Sequence, residues 1–245
     1  MTVTAPINEN QIANNLMVVW EKIEKAAFRA GRSMDDVHTV VVTKTHPVET
    51  VRAVVRAGVT DLGENYVEEA EGKISALSGT MGLRWHMIGH LQSRKASRVV
   101  KYFDHLHSLD SLKLARKLSQ SSQEYERNLP VLMQFNLSGE ETKEGWWAVD
   151  EHTWTELLPE VASVVALPNL EVFGLMTIPP FSHSPEESRP YYVKLRRLQE
   201  FLVQQLGSHG LCDLSMGMSN DYEIAIEEGA TWVRIGQAIL GPRPA

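Results

Sequence analysis

The chain has 245 residues, 43% of them hydrophobic and 22% charged, with a formal net charge of −7; that length fits one α/β barrel or two small domains, and the mixture excludes intrinsic disorder. The acidic balance argues against a nucleic-acid or anionic-membrane binder, and the lone Cys212 excludes an intrachain disulfide or a thiolate metal cluster. No basic segment precedes an apolar one at the start and no apolar run reaches spanning length, so the expected location is cytoplasmic.

Residues 1–8 read as frayed. From Asn10 the apolar positions Ile12, Leu16, Val19, Trp20, Ile23 and Ala27 recur at helical spacing, and Gly31 closes the segment. Its polar side balances Glu21 and Glu24 with Lys22 and Lys25, which suits packing on a main domain rather than a membrane surface. The run 37–44 is nearly all β-branched, the pattern of a strand buried on both faces of a parallel sheet. A helix is predicted from Pro47 to Gly58, then a short strand at 59–62 and a helix carrying Val67, Ala70 and Ile74. Strand 84–88 leads to a helix through Lys101, and strand 103–107 to a helix from Leu109 to Ser121.

The second half keeps the rhythm. Strand 129–137 precedes a helical region with Trp154, Leu157, Leu158 and Val161, and strand 170–178 precedes a helix with Val193, Leu195, Leu198, Leu202 and Leu206. Strand 211–214 is followed by a helix at 219–228 and a last strand at 231–236. Eight strands alternating with helices predict a single (β/α)8 TIM barrel over 1–245 with an additional N-terminal helix. A doubly wound open sheet is the structural alternative.

In a barrel the chemistry sits at the strand C-termini and in the loops after them. Lys44 ends the first strand. It either snorkels to solvent or, held neutral by apolar surroundings, adds to an aldehyde as a Schiff base. The loops after the last two strands, SMGMSND and RIGQAILG, read either as ordinary turns with helix caps or as a phosphate site. In the second reading Ser219 binds phosphate oxygen and Gly236 allows close backbone approach. Arg234 lies within the last strand on the face of Trp232 and Gly236, so its guanidinium needs an acceptor: a carboxylate, or a cofactor's ring nitrogen. His86, His90, His105 and His107 lack a metal-ligand spacing, and no G-x-S-x-G elbow occurs, so no metal is expected. Trp146, Trp147 and Trp154 read as helix-to-barrel packing. The 140–144 loop reads as solvated, with Lys143 able to reach over the barrel mouth.

The stretches VVTKTHP (41–47), GENYVEE (63–69), WHMIGHLQSRK (85–95), NLSGEETKEG (136–145), GLMTIPP (174–180) and LSMGMSNDYEIAIEEGATWVRIGQAILG (214–241) resemble the pyridoxal phosphate homeostasis protein family. The resemblance covers about 9–241, and this family in turn looks like the N-terminal barrel of alanine racemase, a fold-type III pyridoxal-phosphate domain. It implies pyridoxal 5′-phosphate held as a Schiff base on Lys44, Arg234 facing the pyridine nitrogen, and Ser219 and Gly236 in phosphate-loop positions. It also places Asn65 in the turn near the cofactor and Lys143 as a second lysine close by. The chain departs from the family pattern at His46, commonly lysine, which could act as a proton shuttle, and at Gln237, commonly threonine, whose amide can still donate to phosphate. Members influence vitamin B6 and amino-acid pools without robust turnover, with amino acids and apo-enzyme acceptors as partners. The chain shows no stretch for the β-rich second domain and opposite-face tyrosine of racemases, so a non-enzymatic monomer is expected. A weak racemase-like enzyme and a cofactor-free interaction barrel are the alternatives.

Overall fold

The computed structural model describes residues 8–207 and 210–242, so all but the last residue of the segment expected to fray lies outside the described residues. Strand β1 (His38–Val42) runs parallel between β2 (Asp61–Glu64) and β9 (Trp232–Ile235). With helices packed outside the sheet, both faces of β1 are covered at its centre, where Val40 and Val41, pointing opposite ways, are both fully buried. Pairing continues through β3 (Arg84–Met87), β4 (His105–Leu109) and β5 (Leu129–Asn136). Beyond β5 the two-residue β6 (Trp146–Trp147) lies outside the ring, and β7 (Leu170–Met176) and β8 (Asp213–Met218) lead back to β9. Pairing of β4 with β5 completes eight parallel strands as a closed barrel, the predicted fold. An open doubly wound sheet would leave two unpaired edges.

Helix α1 (Glu9–Arg29) begins where the Asn8 side chain accepts from the Gln11 amide at 2.8 Å. Ile12, Leu16, Val19, Ile23, Ala26 and Ala27 bury one face of it against α2 (Val48–Arg56), α8 (Tyr222–Glu227) and α9 (Gln237–Leu240), as the spacing predicted. Full burial of each branched side chain contributes about 1.5–3 kcal/mol. Asn15 fixes the register by donating to the Ile239 carbonyl at 2.8 Å. The other helices on the barrel wall are α3 (Val67–Ala76), α4 (Ala96–Tyr102), α5 (Leu112–Glu124), α6 (Leu158–Val165) and α7 (Arg189–Leu206). No helix among the described residues is long and apolar enough to cross a membrane.

Three sequence expectations shift. The seventh strand was expected to stop at 214 but continues through Met218, because a register irregularity between Ser215 and Met218 absorbs Gly217 at φ 92°. A Cβ at Gly217 would stand 2.5 Å from that of Ala225, so the strand can pack on α8 there only without a side chain. The second and fourth strands each lie two residues later than expected, so Gly63 and Glu64 are strand rather than turn. Among the tryptophans, Trp154 packs on Phe201 of α7 with ring centroids 5.8 Å apart, as expected. Trp146 sits instead in β6 against Phe135, and Trp147 is half exposed.

Candidate functional site at the barrel mouth

Leaving β1, the chain turns sharply at Thr43-Lys44-Thr45, and Thr45 takes φ 66°, a left-handed conformation that costs a β-branched residue about 1–2 kcal/mol. A buried polar knot holds the turn. Thr43 Oγ1 donates to Glu64 Oε1 at 2.6 Å, and the Thr45 amide donates to Glu69 Oε1 at 2.6 Å. Lys73 Nζ donates to the Thr43 carbonyl, Glu64 and Glu69 at 2.6–2.7 Å. Burial raises the Glu64 pKa, opposed by the Lys73 charge and the hydrogen bonds from Lys73 and Thr43. This knot fixes both neighbours of Lys44 and so its direction of exit from the strand.

Lys44, half-buried, lines a cleft of about 300 Å³ together with His46, Asn65, Ser219, Arg234, Gly236 and Gln237. Apart from His46, these are six of the seven residues expected to hold the cofactor, and they meet at one place, at the C-terminal ends of β1, β2, β8 and β9. Ser219 Oγ accepts from the Gly236 and Ala238 amides, each at 3.2 Å, and keeps its own proton to donate. A Cβ on Gly236 would lie 3.2 Å from the Val42 carbonyl oxygen and 3.3 Å from its Cβ, so the end of β9 packs this closely on β1 because position 236 has no side chain. Gln237 is exposed at the cleft edge. Asn65 Oδ1 is a buried acceptor without a hydrogen-bond partner, and a ligand bringing a hydroxyl or N–H would satisfy it. The lining thus offers an amine, a guanidinium, a hydroxyl, the backbone at Gly236 and an orphan acceptor. That set fits a phosphorylated aromatic aldehyde.

Arg234 is 4% exposed, and among the described residues no carboxylate bonds it. Its Nη1 donates to Ser215 Oγ at 2.6 Å and its Nη2 to the Thr177 carbonyl at 3.0 Å. Burial lowers its pKa to about 10, which leaves it charged at neutral pH. Below it the barrel is filled by rings rather than by branched aliphatic layers. His86 stacks on His105 at 4.6 Å, Trp232 stacks on His38 at 4.4 Å, and Phe173 meets His105 at 5.8 Å. Burial holds the His86, His105 and His107 pKa values down, that of His105 at about 4. Side chains from five strands can meet this way only by pointing inward. Sequence reasoning set these histidines aside as a failed metal motif; their alternation at 86, 105 and 107 was the available signal of an inward face.

Lys143 lies apart from the six. It lines an adjoining recess of about 220 Å³ that shares Asn65, Ile88 and Ile178 with the cleft, and it is ion-paired with Glu140. At the rim of the same recess His90 Nδ1 is 3.1 Å from Asp110 Oδ2 and 3.8 Å from Glu144 Oε1.

Comparison with known proteins agrees with this fold. A family model described as "Alanine racemase, N-terminal domain" matches residues 7–244. The chain is 42% identical over 233 residues to the pyridoxal phosphate homeostasis protein of Pseudomonas aeruginosa, covering 95% of this chain and 96% of that one. It is 39% identical over 237 residues to that of Escherichia coli K12, covering 96% and 97%. Among solved structures, PipY of Synechococcus elongatus PCC7942 with PLP bound superposes with a TM-score of 0.82 at 32% identity, over 94% of this chain and all of that one. Alanine racemase of Clostridium difficile 630, at 18% identity, shares the fold with a TM-score of 0.68; the match spans all of this chain and 61% of the racemase. The chain belongs to the alanine racemase N-terminal domain family and, within it, to the branch formed by the pyridoxal phosphate homeostasis proteins.

Proposed function

We propose that this protein holds pyridoxal 5′-phosphate in the barrel-mouth cleft and acts in its homeostasis, influencing vitamin B6 and amino-acid pools without robust catalysis. The observation that carries the reading is the convergence of Lys44, Arg234, Ser219, Gly236 and the orphan Asn65 acceptor on one cleft. It is supported by relatives named for that role and by a structural neighbour with PLP bound. The cofactor supplies an aldehyde and an electron-withdrawing ring. Lys44 bonds the aldehyde reversibly with loss of water. Arg234 stays protonated and presents N–H donors, so it stabilises an unprotonated ring nitrogen and mutes the ring as an electron sink. Ser219 and the backbone at Gly236 grip the phosphate, while Gln237 at the edge and Lys143 from the adjoining recess add donors. The part-open cleft lets amino acids and apo-enzyme acceptors approach a monomer, in the cytoplasm.

The test is direct. Purified protein titrated with pyridoxal 5′-phosphate should develop imine absorbance, and borohydride should trap the adduct on the peptide containing Lys44. Lys44→Ala should abolish both. An unchanged adduct in that variant refutes the assignment. Chiral chromatography with L- and D-amino acids reads the remaining part: turnover at or above about 1 s⁻¹, an ordinary enzymatic rate, establishes an enzyme instead.

A further inference from the structure

One unbroken line of hydrogen bonds threads the barrel. At the N-terminal end of the strands, half-exposed Arg84 holds Asp61 by two bonds of 2.7 Å. Asp61 Oδ1 is 2.9 Å from His86 Nε2, and His86 Nδ1 is 3.0 Å from His107 Nε2. His107 Nδ1 is 2.8 Å from Ser215 Oγ, which is 2.6 Å from Arg234 Nη1 at the mouth. Its inner members, His86, His107 and Ser215, have no exposed surface.

The Asp61 end determines the direction of the line beyond it. Arg234 can only donate and ionised Asp61 can only accept, each neutral histidine has one donor and one acceptor, and the Ser215 hydroxyl has one donor and two acceptor lone pairs. Next to Asp61, an unprotonated His86 Nε2 would set two acceptors against each other 2.9 Å apart, so that nitrogen carries hydrogen. His86 Nδ1 then accepts from His107 Nε2, and His107 Nδ1 accepts the Ser215 proton. The serine's lone pairs are thereby left for Arg234. Adding a proton at His86 would reverse His107, so that the Ser215 oxygen would share its two lone pairs between His107 and Arg234 and its own proton would need a new acceptor, at the cost of a second buried cation beneath Arg234.

We propose that Asp61, His86, His107 and Ser215 are positioning residues that hold the orientation of Arg234 toward an aromatic nitrogen seated in the cleft. Asp61 thus acts on the mouth from the opposite end of the barrel. The proposal rests on the function above for the identity of that ligand, but the direction of the line is a property of the protein alone.

The experiment has two arms. In ¹⁵N-labelled protein without cofactor at pH 7, long-range ¹H–¹⁵N correlations should show His86 and His107 each as a single neutral form with hydrogen on Nε2. Hydrogen on Nδ1, or a cationic ring at either residue, overturns the proposal. Asp61→Asn, which can donate through its amide, should shift both rings toward the Nδ1 form. The second arm measures pyridoxal 5′-phosphate affinity in a double-mutant cycle. Asp61→Asn should weaken binding about fivefold, the scale of one hydrogen bond, and should have no further effect in a Ser215→Ala background. An equal loss in both backgrounds shows that Asp61 acts only through general stability and refutes transmission along the line. Should the wild type bind no cofactor, the functional reading falls while the first arm still decides the line.

Discussion

Replacing Lys73 by methionine should expose the energetics of the knot behind Lys44. The Lys73 side chain is 4% exposed and that of Glu64 0%, and Lys73 Nζ spends its three hydrogens on the Thr43 carbonyl, Glu64 and Glu69. Methionine keeps the stem's packing but leaves the Glu64 carboxylate buried with only the Thr43 hydroxyl to bond it. Removing one partner of a buried pair costs about 3–5 kcal/mol, which for a chain of this length lowers Tm by about 6–20 °C. The loss should depend on pH. Burial already raises Glu64 above its ordinary value of 4.5, and without Lys73 the shift grows. Between 4.5 and the raised value the folded state keeps a proton that the unfolded chain releases, so the variant's stability falls as pH rises through that window. Chemical denaturation should therefore show a smaller deficit against wild type at pH 5 than at pH 8, and adding Glu64→Gln should recover part of it. A deficit below about 1 kcal/mol, within the range of an exposed ion pair, or one equal at both pH values would refute the reasoning.

Two further outcomes follow from the cleft and the strand irregularity. Ser219→Ala removes the hydroxyl proton left to donate while Oγ accepts from the Gly236 and Ala238 amides, so it should weaken pyridoxal 5′-phosphate about fivefold, one hydrogen bond's worth, and unphosphorylated pyridoxal much less. Equal weakening of the two ligands, read by absorbance titration, removes the phosphate role. Gly217→Ala places a methyl 2.5 Å from Ala225 Cβ at a positive φ, and thermal denaturation should show a loss of about 1–3 kcal/mol. A Tm within a degree of wild type would show that β8 can be repaired locally.

The alternation of β-branched runs with helical stripes was enough to specify the barrel and α1, because burial on both faces and burial on one face leave different periodicities in the chain itself. Lys44, Asn65, Ser219, Arg234, Gly236 and Gln237 were legible for a related reason: each falls at or near a strand C-terminus, and the barrel gathers those ends at one mouth. The structure alone decided what depends on partners distant along the chain. Lys143, well past the end of β5 in the 140–144 loop, belongs to the neighbouring recess, because its loop folds back over Asn136, whose side-chain amide donates to the Glu140 and Lys143 carbonyls. The continuation of β8 through Gly217 needed the surface of α8 to explain it. The line from Asp61 to Arg234 joins His107 to Ser215 across 108 positions, a contact with no local signature. Closing the barrel turns those side chains to the same interior, where burying a polar group without a hydrogen bond is costly and pairing is favoured.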